Sequence, residues 1–275
     1  MPVVTQLLCY PVKGCAGTSL RGAAMTATGL AHDRTFMVTD TDGRFRSQRR
    51  DPRLAVIRPR IEDNGRRLVL AAPDAPELAV EVDTGSPSRE VELFGQPCRG
   101  IDQGQPAARW LSQVLGDGSR LVRMPPEEYR VTAGSTPGAC AFADSGAVLM
   151  LSPASLDGLN ARIGGRGGDP VPLNRFRANV IVGGWDEPHT EDLVRRVRIG
   201  TAELAYAKLA IRCSVVQVDQ RTGAAAGPEP LRTLADYRRA GVGGVAFGSK
   251  FSVLRAGDLA VGDEVRIDAW GACEL

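Results

Sequence analysis

The stretch Thr35-Phe36-Met37-Val38-Thr39-Asp40-Thr41-Asp42-Gly43 puts β-branched and aromatic residues in a row, then breaks into acidic residues, threonine and glycine. Strand formers that run into an Asp-Gly signal predict a β-strand that turns back on itself, with a return strand near residues 44–47. The same grammar repeats outward. Residues 3–10 are apolar-rich and stop at Pro11, and runs at 54–61, 67–72, 78–82 and 90–94 follow, each bounded by Gly, Pro, Asp or Asn. Many short strands with turn signals between them predict a small β-barrel or curled sheet. Residues 105–115 carry Ala108, Leu111 and Leu115 at helical spacing and form the first expected helix.

The segment from Pro125-Pro126 to Gly138 is irregular and rich in Pro, Gly, Ser and Thr, which divides the chain into residues 1–124 and 125–275. Ser152-Pro153 then opens a helix, with serine as the cap and proline at the first helical position. Its stripe of Leu156, Leu159 and Ile163 ends at Gly164-Gly165. Strands are expected at 178–182, 194–199, 202–208, 213–218, 250–254 and 261–267, and a short helix at 231–239. The expected fold is β-rich mixed α/β: a small N-terminal β-barrel domain and a C-terminal β-barrel domain with a few helices. The strand–helix alternation of a doubly wound nucleotide fold is missing.

The 34 basic residues nearly balance the 32 acidic ones, a formal net charge of +2. A duplex nucleic-acid binder carries a concentrated cationic excess, so nucleic acid is not an expected partner. Lys13, Lys208 and Lys250 are the only lysines, which leaves anion recognition largely to planar guanidinium forks. The six cysteines, at 9, 15, 98, 140, 213 and 273, have no CxxC spacing, and two histidines, His32 and His189, accompany them. That pattern fits neither a structural zinc site nor an iron–sulfur cluster, and suits reduced thiols. No basic region with a following apolar run marks a signal peptide, and no apolar stretch approaches membrane-spanning length. A soluble cytoplasmic protein with no membrane association is expected.

Candidate chemistry sits at strand ends and turns. Ile211-Arg212-Cys213-Ser214-Val215-Val216 places a guanidinium beside a thiol at the start of an expected buried strand, and a neighbouring cation favours the thiolate that ligates soft metals or attacks electrophiles. The same cysteine also suits a plain core position. Tyr10-Pro11-Val12-Lys13-Gly14 puts a lone lysine in a glycine-flanked turn without the spacing of a P-loop. Asp33 and Arg34 are neighbours that point apart in an extended chain. Ser47-Gln48-Arg49-Arg50-Asp51-Pro52-Arg53 is a basic turn, and Arg175 and Arg177 share a face if extended. Together these cations suit an anionic, phosphate-bearing ligand.

An ordered set of segments resembles a known family. Tyr10-Pro11-Val12-Lys13, Asp33-Arg34, Asp51-Pro52-Arg53-Leu54, Phe176-Arg177-Ala178-Asn179-Val180-Ile181-Val182, Arg212-Cys213, Asp219-Gln220-Arg221-Thr222-Gly223 and Gly248 before Phe251-Ser252-Val253-Leu254 occur in that order over almost the whole chain. The set is similar to the MOSC family, named for the C-terminal domain of molybdenum cofactor sulfurase. In particular it is similar to two-part members with an N-terminal MOSC β-barrel domain, such as the mitochondrial amidoxime-reducing components and their bacterial relatives.

The resemblance implies a molybdenum cofactor (molybdopterin and Mo), with Cys213 as the metal's protein ligand and Arg212 beside it as part of the catalytic pair. It implies that Lys13, Gly14 and Arg34 contact the pterin or its phosphate. Arg177 and Asn179 match an Arg-Pro-Asn segment beside the cofactor, Asp144-Ser145 an Asp-Thr segment, and Arg49 a basic position of the first hairpin. Gly14 stands where relatives carry serine, Ala178 where they carry proline, and Gly146 where a small hydroxyl residue is common. The implied activity is reduction of N-hydroxylated or N-oxide small molecules at a Cys-ligated molybdenum centre. Electrons would come from a separate carrier, whether ferredoxin-like, flavin-bearing or a b-type cytochrome. Sulfur transfer or carbon–sulfur cleavage through the same cysteine stays open, as does a non-catalytic molybdopterin carrier.

Overall fold

Two eleven-residue strands, Ala202–Arg212 and Val245–Arg255, pair antiparallel at the heart of an eight-stranded sheet. The computed structural model describes residues 1–116 and 118–275. The sheet runs in the order Val265–Trp270, Val194–Ile199, Ala202–Arg212, Val245–Arg255, Val148–Leu151, Val180–Gly183, Val3–Cys9, Thr18–Leu20. Val148–Leu151 and Val180–Gly183 lie parallel, and the helix Pro153–Gly164 between them is the crossover such a pair needs. That helix starts as its sequence demands: Ser152 Oγ accepts the Ser155 N–H at 3.1 Å, and Pro153 takes the first helical position. A bridge from Val3 to Glu264 brings the two ends of the sheet together, so it curls most of the way to a barrel around Val4, Leu7, Val148, Val180, Leu204, Tyr206 and Phe251.

The rest of the first half is built from a five-stranded sheet, a three-stranded sheet, the helix Gly104–Leu115 and two strands, Gly22–Thr26 and Gly29–Leu30, of a second three-stranded sheet completed by Gly257–Ala260. Trp110, Leu111 and Val114 on that helix pack on Phe36, Val38, Leu68, Leu70 and Val80. The two halves share the first strands. Val3–Cys9 and Thr18–Leu20 belong to the eight-stranded sheet, while Val12–Lys13 between them pairs with Phe36–Asp40 in the five-stranded one. Lys13 therefore lies where the chain crosses between sheets. Among the described residues no helix is long and apolar enough to cross a membrane.

Several local expectations fail for physical reasons. The return strand at 44–47 shortens to isolated bridges: Val12–Lys13 takes that edge of Phe36–Asp40 at Phe36 and Met37, which leaves only its far end for Asp40 N–H to reach the Arg44 carbonyl and Arg46 N–H the Val38 carbonyl, both at 2.9 Å. Residues 54–61 are not one strand. Pro52 opens the 3-10 turn Pro52–Val56, and Leu54, Ala55, Val56 and Ile57 are buried in succession, a pattern no half-buried strand presents. The strand expected at 202–208 runs on to Arg212, and the one expected at 213–218 is the 3-10 turn Ser214–Gln217. Cys213 thus closes a strand and caps a turn, with its carbonyl accepting the Val216 N–H at 3.1 Å. That geometry carries its sulfur out of the sheet. Arg175 and Arg177 do not share a face. Arg175 ends in the 3-10 turn Leu173–Phe176, and Arg177 is left-handed at φ 55°, so the two side chains diverge.

Candidate active site

Lys13 enters the boundary between the sheets as a buried cation. Its Nζ donates to the Phe142 carbonyl at 2.7 Å and forms an ion pair with Asp144. Phe45 and Phe94 place their ring centroids 5.1 Å from the same nitrogen. Gly14 follows at φ +84°, a conformation an L side chain rarely adopts, and its carbonyl accepts from Gln48 Nε2 at 2.5 Å.

Arg34 is itself left-handed, at φ 50°, and this bends its side chain back onto its neighbour. It pairs with Asp33 instead of pointing away, which corrects the extended reading of that dipeptide. Its remaining donors reach Asn179 Oδ1 and the Arg177 carbonyl, both at 3.0 Å. Asp33 accepts the Tyr10 N–H at 2.8 Å and Asn179 Nδ2 at 3.0 Å, so no charge or amide in this knot is left bare. Tyr10 lies between two guanidiniums, with Arg34 at 4.3 Å and Arg177 at 4.4 Å from its ring centroid. Arg177 also donates to Gln220 Oε1 at 3.3 Å.

Arg212 donates to the Phe176 carbonyl at 2.7 Å, while its buried Nε has no acceptor. Burial pushes its guanidinium down to about 10, against the pull of Cys213 and Asp144, so it stays charged at neutral pH. Cys213, next in the chain, is half-buried and unpaired with any other cysteine.

Asp144, 54% exposed, lines the cavity. Burial works to raise its carboxyl, but Lys13 and Lys250 overcome that and hold it well below the usual carboxylate range. Lys250 Nζ donates to Ser145 Oγ at 2.7 Å. Its side chain lies over Gly146, where an added Cβ would meet Lys250 Cβ at 2.9 Å. The small residue at 146 is therefore what lets Lys250 into the site.

Burial pushes the Lys250 ammonium down to about 8, with Asp144 opposing and Arg212, Lys13 and Lys208 adding to the fall. Its proton leaves the folded chain before the unfolded one. Between about pH 8 and the ordinary lysine range the unfolded state binds more protons, so this group makes stability rise with pH there. With three lysines in the chain, ¹³Cε-labelled lysine gives three resolvable NMR titrations. One, removed by Lys250→Met, is expected to have its midpoint near pH 8; a midpoint above 10 refutes the burial argument.

One cavity is lined by Lys13, Gly14, Arg34, Arg49, Asp144, Arg177, Asn179, Arg212 and Cys213. Ser145 stands behind that wall and anchors Lys250. Sequence reasoning missed Lys250, Gln48, Phe45 and Phe94, which share the wall. Lys250 had a signal: a cation inside the run Val245–Arg255, whose other central residues are buried. Phe94, at the end of the expected strand 90–94, occupies a left-handed turn position at φ 54° and stays 45% exposed at the cavity.

The profile of the MOSC N-terminal beta barrel domain matches residues 1–118, and that of the MOSC domain matches residues 137–266. Mitochondrial amidoxime-reducing component 1 of Mus musculus is 32% identical over 280 residues, covering 95% of this chain and 81% of that protein. Mitochondrial amidoxime reducing component 2 of Bos taurus is also 32% identical, over 95% of this chain and 82% of its own length. Molybdenum cofactor sulfurase of Oryza sativa subsp. japonica is 30% identical over 85% of this chain, which spans 30% of that longer protein. With both profiles matched in order and relatives aligned nearly end to end, the chain belongs to the MOSC family, in the form that carries an N-terminal MOSC β-barrel domain.

Proposed function

We propose that this chain is a molybdenum-cofactor-dependent reductase of N-hydroxylated or N-oxide small molecules, reduced in turn by a separate electron carrier. The observation that carries the reading is the meeting of Cys213 with Lys13, Arg34, Arg177 and Arg212 around one cavity, to which the chain brings segments up to 200 residues apart (213 − 13). The residues fit the group. The wall is strongly cationic, a buried Arg212 Nε has no acceptor, and Cys213 offers a free sulfur, the donor type a soft metal takes. The matches to amidoxime-reducing components support the same chemistry.

When bound, the cofactor supplies two-electron redox chemistry at molybdenum. The chain does the rest. Cys213 would ligate the metal from just past the end of a long strand, a rigid support. Lys13, Arg34 and Arg177 offer N–H donors to the pterin phosphate, and Asn179 locks Arg34 in place by ties to Leu8, Asp33 and Leu149. Reduction of an N-hydroxyl takes up two electrons and two protons, breaks N–O, and releases amine and water. Lys250 Nζ, in the wall and pushed down to about 8 by burial, holds one such proton.

Protein made in a molybdate-competent host is expected to contain Mo and a fluorescent pterin. It should reduce an N-hydroxylated amidine only when a reduced iron–sulfur, flavin or haem carrier is supplied, and not with reduced nicotinamide alone. Carrier-free turnover with nicotinamide refutes the carrier requirement, and a metal-free protein that turns over a sulfur substrate establishes the sulfur-transfer alternative through Cys213.

A further inference from the structure

Four arginines with exposed side chains stand on two adjoining loops beside the cavity, which Arg49 itself lines. Arg49, Arg50 and Arg53 come from residues 47–53, and Arg221 from residues 219–223. Among the described residues, no carboxylate oxygen lies within 4.0 Å of their guanidiniums. The acids next to them are engaged elsewhere: Asp51 pairs with Arg46 at 2.6 Å, and Asp219 accepts the Arg221 and Thr222 N–H groups at 2.8 and 3.2 Å. A chain of net charge +2 thus concentrates unpaired positive charge in one place.

The loops are fixed to each other and to the cavity. Gln48 and Gln220 exchange side-chain amide bonds at 3.1 and 2.9 Å, and Gln220 also accepts from Arg177. Gly223, at φ +68°, packs so closely that an added Cβ would lie 3.1 Å from the Arg53 Cα and the Pro52 carbonyl. Gln48 and Arg49 are themselves cavity walls, beside Phe94 and Ile211, which are 45% and 39% exposed. Apolar side chains within a cationic rim, on loops held rigid by their own contacts, match the anatomy of a protein-docking surface. A small anion is served better by the buried guanidiniums deeper in the cavity, and the rim charges are spread over two loops.

We propose that this arginine rim docks an acidic one-electron carrier protein at the cavity mouth. The inference rests on the reductase reading. Two successive encounters, each oxidising one carrier by one electron, supply the two electrons that N–O cleavage consumes with two protons. Charge complementarity acts on encounter and orientation, and is weakened by salt.

The test uses the holoenzyme, an acidic plant-type [2Fe–2S] ferredoxin and the variant Arg50→Glu/Arg53→Glu/Arg221→Glu, which spares every residue assigned to the cofactor. Ferredoxin binding by calorimetry is expected to weaken with salt in the wild type and to fall at least about tenfold in the variant. The KM for ferredoxin should rise in parallel, while turnover driven by dithionite-reduced methyl viologen does not fall. Unchanged ferredoxin binding in the variant overturns the proposal. So does an equal loss with both donors, or tighter binding of a single-stranded oligonucleotide than of ferredoxin by the wild type. A wild type that reduces no N-hydroxylated substrate even with viologen sinks the reductase reading, and the binding measurement still decides the docking surface.

Discussion

Cys213→Ala is expected to strip the protein of molybdenum and reduce N-hydroxyl turnover to background, with the fold intact. Cys213 lies just past the end of Ala202–Arg212 and is the one thiol among the described residues that line the cavity, so no second soft sulfur donor stands ready to replace it. Its packing role is small: the residue is half-buried, and loss of one thiol there should cost about 1 kcal/mol or less. Metal analysis, pterin fluorescence and thermal unfolding measure the three consequences separately. Wild-type metal content with wild-type turnover would falsify the ligand assignment. Retained pterin without metal would support it, since the cationic wall is untouched by the change.

Arg34→Ala is expected to damage both the fold and cofactor retention. Removing the guanidinium leaves the Asp33 carboxylate, 1% exposed, without its ion-pair partner. Breaking a buried pair from one side costs about 3–5 kcal/mol. Asp33 keeps its bonds from the Tyr10 N–H and Asn179 Nδ2, which places the loss at the lower end of that range. In a chain this long that corresponds to a fall in Tm on the order of 10 °C. Pterin loss on dialysis should steepen as salt rises. Arg34→Lys keeps the charge but not the fork that reaches Asp33, Asn179 and the Arg177 carbonyl, so it should fold with an intermediate Tm and still lose pterin. Wild-type pterin retention in Arg34→Lys at high ionic strength would show that the fork has no part in binding.

Much of the fold was legible locally. Residues 67–72 and 194–199 are strands as their pattern says, and Ser152-Pro153 opens a helix by capping alone. The misses share a cause. Val148–Leu151 is buried at all four positions, so it lacks the alternation that marks a strand. Residues 54–57 are a buried apolar run of the same kind, part of it a 3-10 turn, and the β-branched Val215-Val216 read as strand but fold as another, since a short apolar stretch does not distinguish the two. The dipeptide Asp33-Arg34 and the pair Arg175/Arg177 were read by extended-chain geometry, which left-handed backbone at Arg34 and Arg177 cancels.

The sequence by itself determined the β-rich class, the MOSC family and the residue types a phosphate-bearing, sulfur-ligated cofactor needs. Those properties are carried by strand propensity, turn residues, caps and ordered motifs, all of which act within a few positions along the chain. Only the tertiary structure decided how the charges are used. Lys13 meets Asp144 across 131 residues, Arg34 meets Asn179 across 145, and Gln48 meets Gln220 across 172. It also decided that Gly146 makes room for Lys250 and that the loops bearing Arg49, Arg50, Arg53 and Arg221 pack on each other. The reason is physical: burial and the nearest opposite charge set a cation's energy, and both are properties of what the folded sheets bring together, which spacing along the chain does not record.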